Sequence, residues 1–495
     1  MYKKIVAMCL VVVFVLAAPL TASASVSSIA NTPRNRLMPE SYIYAWRGPG
    51  FSYPIPAPLP YRFLHSVYAH DMGVDSLMHL SEIKYLNGQF FITNGAQIII
   101  TDDNFVATRI IEGIYVDGTW EYFTPLDGIF VAQTGEVYVA EPGAGRVIHF
   151  DANLELVRII GRPYGMPDTE TYRPTKIAVD QNGRMFVIAD GVFEGIVEIN
   201  PDGTFLRYFG VVDVRPSAMQ LFLRRFQTTQ QRIRTQLLLP TNFSNLTICD
   251  RGFVFATLSD PGTDVAAKQL NSRGANIMRR PGDGHHVGDM TFNYFGIGIP
   301  LGPSVISIIT VTDFGVYYVF DSNRNRVFAY NVDGHLLFAF GGEGTREGTT
   351  AAVTGMVTAG NRLVFADRGN RSIEVFERTP YGNLLLDAAQ YQFRHDYMNA
   401  AMHWQEVLRL NPFFQYAYVG VGIALHRQGY YAEAMVYFQR GQDSGFFSMA
   451  YAHVRADFMY RHFNTAMTVL TILLALYVIY KIYKHIRARQ RSVTA

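Results

Sequence analysis

Two patterns in the sequence have residue types and spacings that could do chemistry. The first is the segment GDGHHVGD, in which His285 and His286 stand between acidic residues and could bind a metal. Adjacent histidines generally point apart, and the segment lies in a long connection, so a connecting loop without a metal is the favoured interpretation. The chain has no serine nucleophile elbow, no glycine-rich phosphate loop and no HExxH helix.

The second pattern is an acidic residue followed five positions later by arginine and then by an apolar strand. The pairs are Asp321 with Arg326, Glu141 with Arg146, and, in a degraded copy, Asp367 with Arg371, which is one position early. A charge-assisted hydrogen bond within each pair would hold the turn between two strands. Because the pattern repeats, a structural role is favoured over a catalytic one.

These pairs belong to a unit that recurs six times. Each copy has a turn glycine, a strand rich in Val, Ile, Phe and Tyr, and two further strands separated by polar turns. A fourth strand is expected before the glycine. The turn glycines are Gly88, Gly135, Gly183, Gly252, Gly315 and Gly360, with successive spacings of about 47, 48, 69, 63 and 45 residues. Residues 71–380 are therefore predicted to form an all-β, six-bladed propeller.

The long interval after the third unit contains a basic insert, residues 215–240, with apolar residues near helical spacing. Four of its arginines have no acidic residue nearby: Arg224, Arg225, Arg232 and Arg234. The insert could contact acidic lipid headgroups or an acidic partner. The cluster is modest, so a solvated helix packed over the ring is the favoured interpretation.

A helical region is predicted after the propeller. Residues 381–448 contain two segments offset by 34 residues that match in the size of their packing residues. The matched positions are Ala388 with Gly422, Tyr391 with Leu425, Ala400 with Ala434, and Trp404 with Phe438. The small residues would let paired helices approach closely while the large ones fill the space between them. Residues 449–462 are predicted to continue as a juxtamembrane helix.

Both ends of the chain carry apolar segments. Residues 1–24 have a basic start, an apolar run and a small-residue cleavage signature, as in a secretory signal peptide; an uncleaved anchor is the alternative. Residues 464–480 are uncharged, and residues 463–483 are long enough to cross a bilayer; the alternative is a buried amphipathic helix. The basic tail, residues 484–495, places the C-terminus in the cytoplasm. We therefore predict a single-pass cell-membrane protein with its other domains outside the cytoplasm.

Composition agrees with a multidomain chain. The 495 residues are 49% hydrophobic and 14% aromatic, which leaves ample material for several cores. The net charge of +2 is close to neutral. Together with the predicted export, this argues against a nucleic-acid partner. Residues 25–70 form an extended segment that could supply a strand to complete the last blade.

The acidic–Arg motif in FDSNRNRVFAY resembles the NHL repeat, and residues 381–448 resemble a pair of tetratricopeptide repeats. With the apolar segments at both ends, the whole chain looks like a membrane-anchored NHL-repeat protein of the type found in Gram-positive Firmicutes. Members of that family often carry a gluconolactonase label, and their gene neighbourhood is similar to that of genes beside carbohydrate transporters. The resemblance covers nearly the whole chain but implies no secure biochemical function.

Two classes of function follow. The favoured one is a non-catalytic extracytoplasmic scaffold without a cofactor. Its propeller and helical repeats would bind a glycan, a peptide or an envelope membrane protein such as a sugar-transporter subunit. The alternative is a metal-dependent hydrolase or lyase. For that class the resemblance to gluconolactonases implies a divalent metal at the propeller axis, with Glu82, Asp180 and Asn242 as candidates that no spacing selects.

Overall fold

The computed structural model describes residues 40–46, 52–168, 170–211, 242–258, 266–279, 287–289, 292–293, 300–301 and 303–493. Three predictions lie outside these residues: the signal peptide at residues 1–24, the basic insert at residues 215–240, and the histidine pair at residues 285–286.

The described strands form the blades of a ring. The chain begins with β1 (Ser41–Trp46), β2 (Ser52–Pro56), β3 (Tyr61–Val67) and the one-turn helix α1 (Ala69–Met72). Blade 1 contains β4 (Leu80–Leu86), β5 (Gln89–Asn94), β6 (Gln97–Thr101) and β7 (Ala107–Ile111), and the hairpin of β8 (Gly113–Val116) and β9 (Thr119–Tyr122) follows. Blade 2 contains β10 (Ile129–Val131), β11 (Val137–Glu141), β12 (Arg146–Phe150) and β13 (Leu156–Ile160).

The second half of the ring has the same order. Blade 3 contains β14 (Arg173–Val179), β15 (Met185–Asp190), β16 (Ile196–Ile199) and β17 (Phe205–Phe209). Blade 4 contains β18 (Phe243–Ile248), β19 (Val254–Leu258) and β20 (Ala267–Leu270), and the short strands β21 (Phe292–Asn293) and β22 (Pro300–Leu301) follow. Blade 5 contains β23 (Ile306–Val311), β24 (Tyr317–Asp321), β25 (Arg326–Tyr330) and β26 (Leu336–Phe340). Blade 6 contains β27 (Val353–Ala359), β28 (Arg362–Asp367) and β29 (Ser372–Arg378).

The innermost strands share a bulge that bends them beside the axis. In five blades the register of the first strand skips one residue, and that residue is always serine or threonine: Ser81, Thr175, Ser244, Ser307 and Thr354. A bulge increases local twist and redirects the side chains that follow it. The next residue in blade 1 is Glu82 and in blade 3 is Lys176, and these two side chains meet.

The N-terminal segment contributes strands to the last two blades. β3 pairs antiparallel with β29 as the outer strand of blade 6, which joins the start of the ring to its end. β1 pairs with β26, so the blade 5 sheet has the strand order β2-β1-β26-β25-β24-β23. Tyr42 on β1 is fully buried and its hydroxyl donates to Asp289 Oδ2 at 2.7 Å.

Helices follow the last blade directly. They are α2 (Pro380–Phe393), α3 (Tyr397–Leu410), α4 (Gln415–Arg427), α5 (Tyr431–Arg440) and α6 (Ser444–Val493), joined by short loops into successive hairpins. Thr379 caps α2 by accepting from Gly382 N, and Asp396 caps α3 by accepting from Asn399 N. The predicted fold class, a six-bladed propeller followed by a helical region and one apolar helix, is confirmed.

Two glycines let α4 approach its neighbours. A Cβ atom on Gly420 would lie 2.3 Å from Trp404 Cδ1, and one on Gly422 would lie 2.6 Å from Phe438 Cε1. Trp404 and Phe438 are both completely buried. These large rings therefore fill the helical core at positions where α4 carries no side chain.

The last helix, α6, is packed against the protein near its start and exposed along most of its length. Ala450, near its start, is completely buried, whereas every side chain from residue 455 to residue 485 is exposed. The most apolar 18-residue window has a mean hydropathy of 1.9, and none of it is buried. By length and composition α6 is therefore a candidate membrane span.

Candidate functional site

Two innermost strands and the segment before a third bring four charged residues together near the axis, which we call the axial cluster: Glu82, Lys84, Asp127 and Lys176. Lys176 Nζ lies 2.8 Å from Glu82 Oε2 and 3.0 Å from Asp127 Oδ1. Lys84 Nζ lies 3.1 Å from the other carboxylate oxygen of Glu82. Since β4 and β14 belong to blades 1 and 3, the Lys176–Glu82 bond bridges blades that are not sequential.

Each charge in this cluster is stabilised by its partners. Burial alone would raise the pKa of Glu82, but Lys176 and Lys84 outweigh burial and hold that pKa below its usual value. Burial alone would lower the pKa of Lys176, but Glu82 and Asp127 raise it above its usual value. The Glu82 side chain is only 3% exposed and the Lys176 side chain 13%. The ammonium group of Lys176 is therefore a fixed cation beside the axial carboxylate.

The three candidate metal ligands do not form one site. Asp180 lies in the turn after β14, where its Oδ1 accepts from Asn182 N and Arg184 N, each at 2.9 Å. Asn242 precedes β18 and lines a pocket of about 320 Å³ that also borders Asp127 and Lys176. Among the described residues, no group of three or more His, Cys, Asp or Glu side chains could hold a metal ion. The axial residues do not fit a divalent cation. Two lysines already neutralise Glu82, and the same lysines would repel the cation.

The acidic residues of the repeated motif share a different role. Glu141, Asp321 and Asp367 are each the last residue of the second strand of a blade, and each is completely buried. Each carboxylate accepts backbone N–H groups from the segment that leads into the innermost strand of the same blade. The donors are Thr124 N at 2.6 Å, Val305 N at 3.0 Å, and Ala351 N and Ala352 N at 2.8 and 2.9 Å, respectively. These carboxylates hold the connection between consecutive blades.

A fourth residue in this role was not predicted. Asn94 ends β5 of blade 1, is 6% exposed, and its Oδ1 accepts from His79 N at 3.0 Å. Its amide nitrogen also donates to Ser76 O at 2.8 Å. The search for an acidic residue missed it, although a search for any side-chain oxygen at the end of the second strand would have found it.

The arginines of the motif differ from blade to blade. Arg146 Nε donates to Glu141 Oε2 at 2.6 Å, which is the predicted pair. In blade 5 Asp321 pairs with Arg324 at 3.0 Å, and the Arg326 guanidinium lies 5.1 Å from the centre of the Tyr42 ring. Arg371 occupies a turn with a φ of 55°, and in the part of the chain that is described no ion pair joins it to Asp367.

The eight residues predicted to pack the helical repeats all contribute to one core. Ala388, Trp404, Ala434 and Phe438 are completely buried, and Ala400 is 2% exposed. Gly422 is buried against Phe438, while Tyr391 and Leu425 are partly buried and pack on the same core.

The helical region packs on the propeller through hydrogen bonds that the sequence did not indicate. The Tyr416 hydroxyl accepts from Asn331 Nδ2 of blade 5 at 2.6 Å and from Gln392 Nε2 of α2 at 2.8 Å. Gln392 Oε1 in turn accepts from Trp404 Nε1 at 3.0 Å. A Cβ atom on Gly382 would lie 2.0 Å from Pro60 O, so α2 starts against the backbone of the N-terminal segment.

Beside this contact lies a cleft of about 730 Å³, the junction cleft, bounded by blades 4 and 5 on one side and by the helices on the other. Its cationic or titratable basic side chains are Arg251, Arg279, Arg427, His395 and His426. The acidic side chain in its wall is Asp333, which pairs with Arg279 at 2.8 Å.

Two of these arginines are held by aromatic rings rather than by carboxylates. The Arg251 guanidinium lies 4.9 Å from the centre of the Phe393 ring and 5.5 Å from that of Phe253. The Arg427 guanidinium lies 5.4 Å from the centre of the Tyr397 ring. Neither arginine forms an ion pair within the described ranges, and both are exposed. Stacking of this kind leaves the edge N–H groups of a guanidinium available for a carboxylate.

Comparison with known proteins does not assign this chain to a family or a function. No family profile matches the chain, and no curated protein matches it. A virginiamycin B lyase from Staphylococcus aureus is 12% identical, with 64% of this chain and 100% of that chain covered and a TM-score of 0.37. A gluconolactonase from Xanthomonas campestris is 13% identical, with 67% and 99% covered and a TM-score of 0.40. Because one fold supports many functions, similarity at this level concerns the propeller alone.

Proposed function

We propose that this chain is a non-catalytic binding protein, anchored in the cell membrane by α6, whose propeller and helical region together bind a partner outside the cytoplasm. The observation that carries the proposal is the continuous packed path from the ring through α2–α5 into the apolar helix. Helical repeats packed between a propeller and a membrane add a binding surface, which catalysis in the propeller does not need.

The connection between ring and helices is close and largely buried. Thr379 Oγ1, at the N-terminus of α2, donates to Leu59 O at 2.6 Å. Tyr416 is 7% exposed and contacts both blade 5 and α2 through the hydrogen bonds described above. An unsatisfied buried polar group costs about 1–3 kcal/mol, so these bonds resist separation of the two parts.

Features of α6 support a membrane span. The hydroxyls of Thr468 and Thr471 donate to Asn464 O and Met467 O, each at 2.8 Å, and are therefore satisfied within the helix. Aromatic residues lie at both ends of the apolar stretch: Tyr460 and Phe463 at the start, Tyr477, Tyr480 and Tyr483 at the end. From Tyr460 to Tyr480 a helix rises about 30 Å, the thickness of a hydrocarbon core. The basic tail favours a cytoplasmic C-terminus.

The blades and helices also support the resemblance to NHL repeats and to tetratricopeptide repeats. The carboxylates at the ends of second strands in blades 2, 5 and 6 recur in one structural position, as an NHL-like repeat requires. The helix pairs α2–α3 and α4–α5 bury their matched residues in one core, as in tetratricopeptide-like repeats. We infer an envelope membrane protein as the partner, with sugar-transporter subunits as the first candidates.

A metal-dependent hydrolase would need a free axial carboxylate, whereas Glu82 is neutralised by two lysines.

Site-specific photo-crosslinking in intact host cells tests this proposal. A photoreactive amino acid is placed at Met398 on α3, where the side chain is 59% exposed, and in a second strain at Tyr164 between blades 2 and 3, where it is 85% exposed. We expect a crosslinked membrane protein, identified by mass spectrometry, from the position on α3 and none from the position between blades. Absence of any crosslinked protein from several exposed positions on the helical region would refute the binding role.

Membrane attachment is tested separately by truncation. The full-length protein should stay in the membrane pellet after an alkaline wash, and a chain ending at His462 should appear in the soluble fraction. If both forms wash off, α6 is not an anchor.

A further inference from the structure

We propose that the junction cleft binds a short segment of a partner polypeptide that carries both acidic and apolar side chains and lies beside the membrane. This inference rests on the proposed function and adds the chemistry of the partner. It follows from the charge of the cleft, its apolar lining and its distance from the candidate span.

The charge of the cleft selects an acidic ligand. Arg251 and Arg427 face it from the propeller side and the helical side, and neither has a carboxylate partner in the described part of the chain. The acid in the cleft wall, Asp333, is already paired with Arg279. Each wall therefore offers an entering acidic segment one guanidinium group that is supported by ring stacking.

The apolar lining favours a polypeptide over a glycan. Phe314 and Ile277 from the propeller and Ile423 and Met449 from the helices line the cleft beside the arginines. Such side chains pack against leucine-like groups, and the amides of Asn331 and Gln392 in the lining already bond to Tyr416, so they are engaged and not open to sugar hydroxyls. The volume of about 730 Å³ is within the range of small-ligand sites and holds a few side chains rather than a folded domain.

The position of the cleft places its ligand near the bilayer. Met449 in the cleft wall and Phe463 at the start of the apolar stretch lie on the same uninterrupted helix. The 14 residue steps from Met449 to Phe463 correspond to a rise of about 21 Å. A segment just outside the membrane span of a neighbouring protein is within that distance of the bilayer.

The test uses full-length protein in lipid nanodiscs and a fluorescent pentapeptide in which two leucines alternate with three acidic residues. The control peptide has Gln or Asn in place of each acid. We expect the acidic peptide to raise the fluorescence anisotropy saturably and to bind more weakly at higher salt, and the control peptide to bind at least about tenfold more weakly.

Variants locate the binding. Arg251→Gln with Arg427→Gln should weaken binding of the acidic peptide at least about tenfold, and Arg409→Gln, an exposed arginine on α3 outside the cleft, should leave it unchanged. Ile277→Glu, which adds a negative charge to the propeller wall at a 39% exposed position, should also weaken binding while both arginines remain. Thermal unfolding checks that each variant is folded.

Equal affinity for the two peptides, or unchanged affinity in the double arginine variant, would overturn the inference. So would binding to vesicles with phosphatidylglycerol that depends on Arg251 and Arg427 when the peptide does not bind, since the cleft would then be a lipid-headgroup site. In either case a membrane protein that still crosslinks to α3 would leave the proposed function intact.

Discussion

The axial cluster and the junction cleft both contain charged side chains from distant parts of the chain. The charges of the axial cluster are paired with each other, whereas two arginines of the junction cleft have no carboxylate partner among the described residues. In the axial cluster Lys176 lies between two carboxylates and is 13% exposed on its side chain. In the junction cleft Arg251 and Arg427 are exposed and supported by aromatic rings. Neutralised, buried charges hold the blades in place, whereas exposed charges without acidic partners remain available to a ligand.

This difference in charge compensation bears on the choice between a binding protein and a metal-dependent enzyme. An axial metal enzyme needs carboxylates whose charge is not yet compensated. The ring compensates Glu82 from two sides, whereas Arg251, at the contact with the helices, has no carboxylate partner among the described residues. The comparison therefore favours binding of an acidic partner, and the predictions below test each side of it.

The largest effect is expected from removing the central ammonium group. Lys176→Met leaves the buried Glu82 with Lys84 as its one remaining partner and removes the partner of the partly exposed Asp127, which should lower the free energy of unfolding by roughly 3 kcal/mol. The shift is measured as a change in the urea midpoint followed by tryptophan fluorescence.

Lys84→Met is the matched control, because Glu82 keeps Lys176 in that variant and the loss should be below about 1 kcal/mol. Adding Glu82→Gln to Lys176→Met should recover part of the loss. Equal losses in the two lysine variants would show that the axial cluster is not centred on Lys176.

The next effect is expected where α2 meets the N-terminal segment. Gly382→Ala would place a methyl group against Pro60 O, and relief of that overlap should cost about 2 kcal/mol and displace one wall of the junction cleft. Gly161→Ala, where nothing lies within 4 Å, is the control and should change stability by less than about 0.5 kcal/mol. Peptide binding should weaken in the first variant alone.

A smaller effect is expected from Tyr416→Phe. This change removes the acceptor shared by Asn331 and Gln392, which lie on opposite walls of the junction cleft, and should cost about 1–2 kcal/mol. Tyr418→Phe removes an exposed hydroxyl that donates to Pro412 O and should be nearly neutral. Hydrogen exchange of α2 and α4 should increase in the first variant and not in the second.

The smallest effect is a pH dependence from His426, whose ring contacts Tyr431, Phe438 and His453. Burial, with His453 and Arg427, lowers the pKa of His426 below its usual value of 6.5. The unfolded chain then binds more protons between the lowered pKa and 6.5, so stability is full above 6.5 and is lost as the pH falls through that window.

His426→Gln should reduce this pH dependence, measured as urea midpoints at several pH values between about 5 and 8. An unchanged slope in the variant would assign the effect to other groups.

Much of the fold was predictable because its signals are local. Turn glycines and alternating apolar residues indicated the blades, and packing residues matched at an offset of 34 residues indicated the helix pairs. The motif carboxylates were also visible, although the partners that all three share are backbone N–H groups of a preceding segment rather than arginines. Asn94 was missed because an amide oxygen fills the same position as a carboxylate.

The candidate site was hardly predictable, because its members are far apart in the chain. Arg251 and Arg427 belong to a propeller turn and a helix, and each resembles an ordinary surface arginine in the sequence. The pattern Arg–x–Phe at Arg251 and Phe253, which also occurs at Arg184 and Phe186, was the one local signal of ring stacking.

The sequence by itself determined the number of blades, the order of the domains and the apolar helix, because strand periodicity, turn chemistry and hydropathy act over a few residues. Only the tertiary structure decided which charges are neutralised. Lys176 meets Glu82 because two bulged strands converge near the axis, and Arg251 and Arg427 line one cleft because Tyr416 joins the helices to blade 5. Coulomb interactions depend on distance in space, and ring closure and helix packing set those distances.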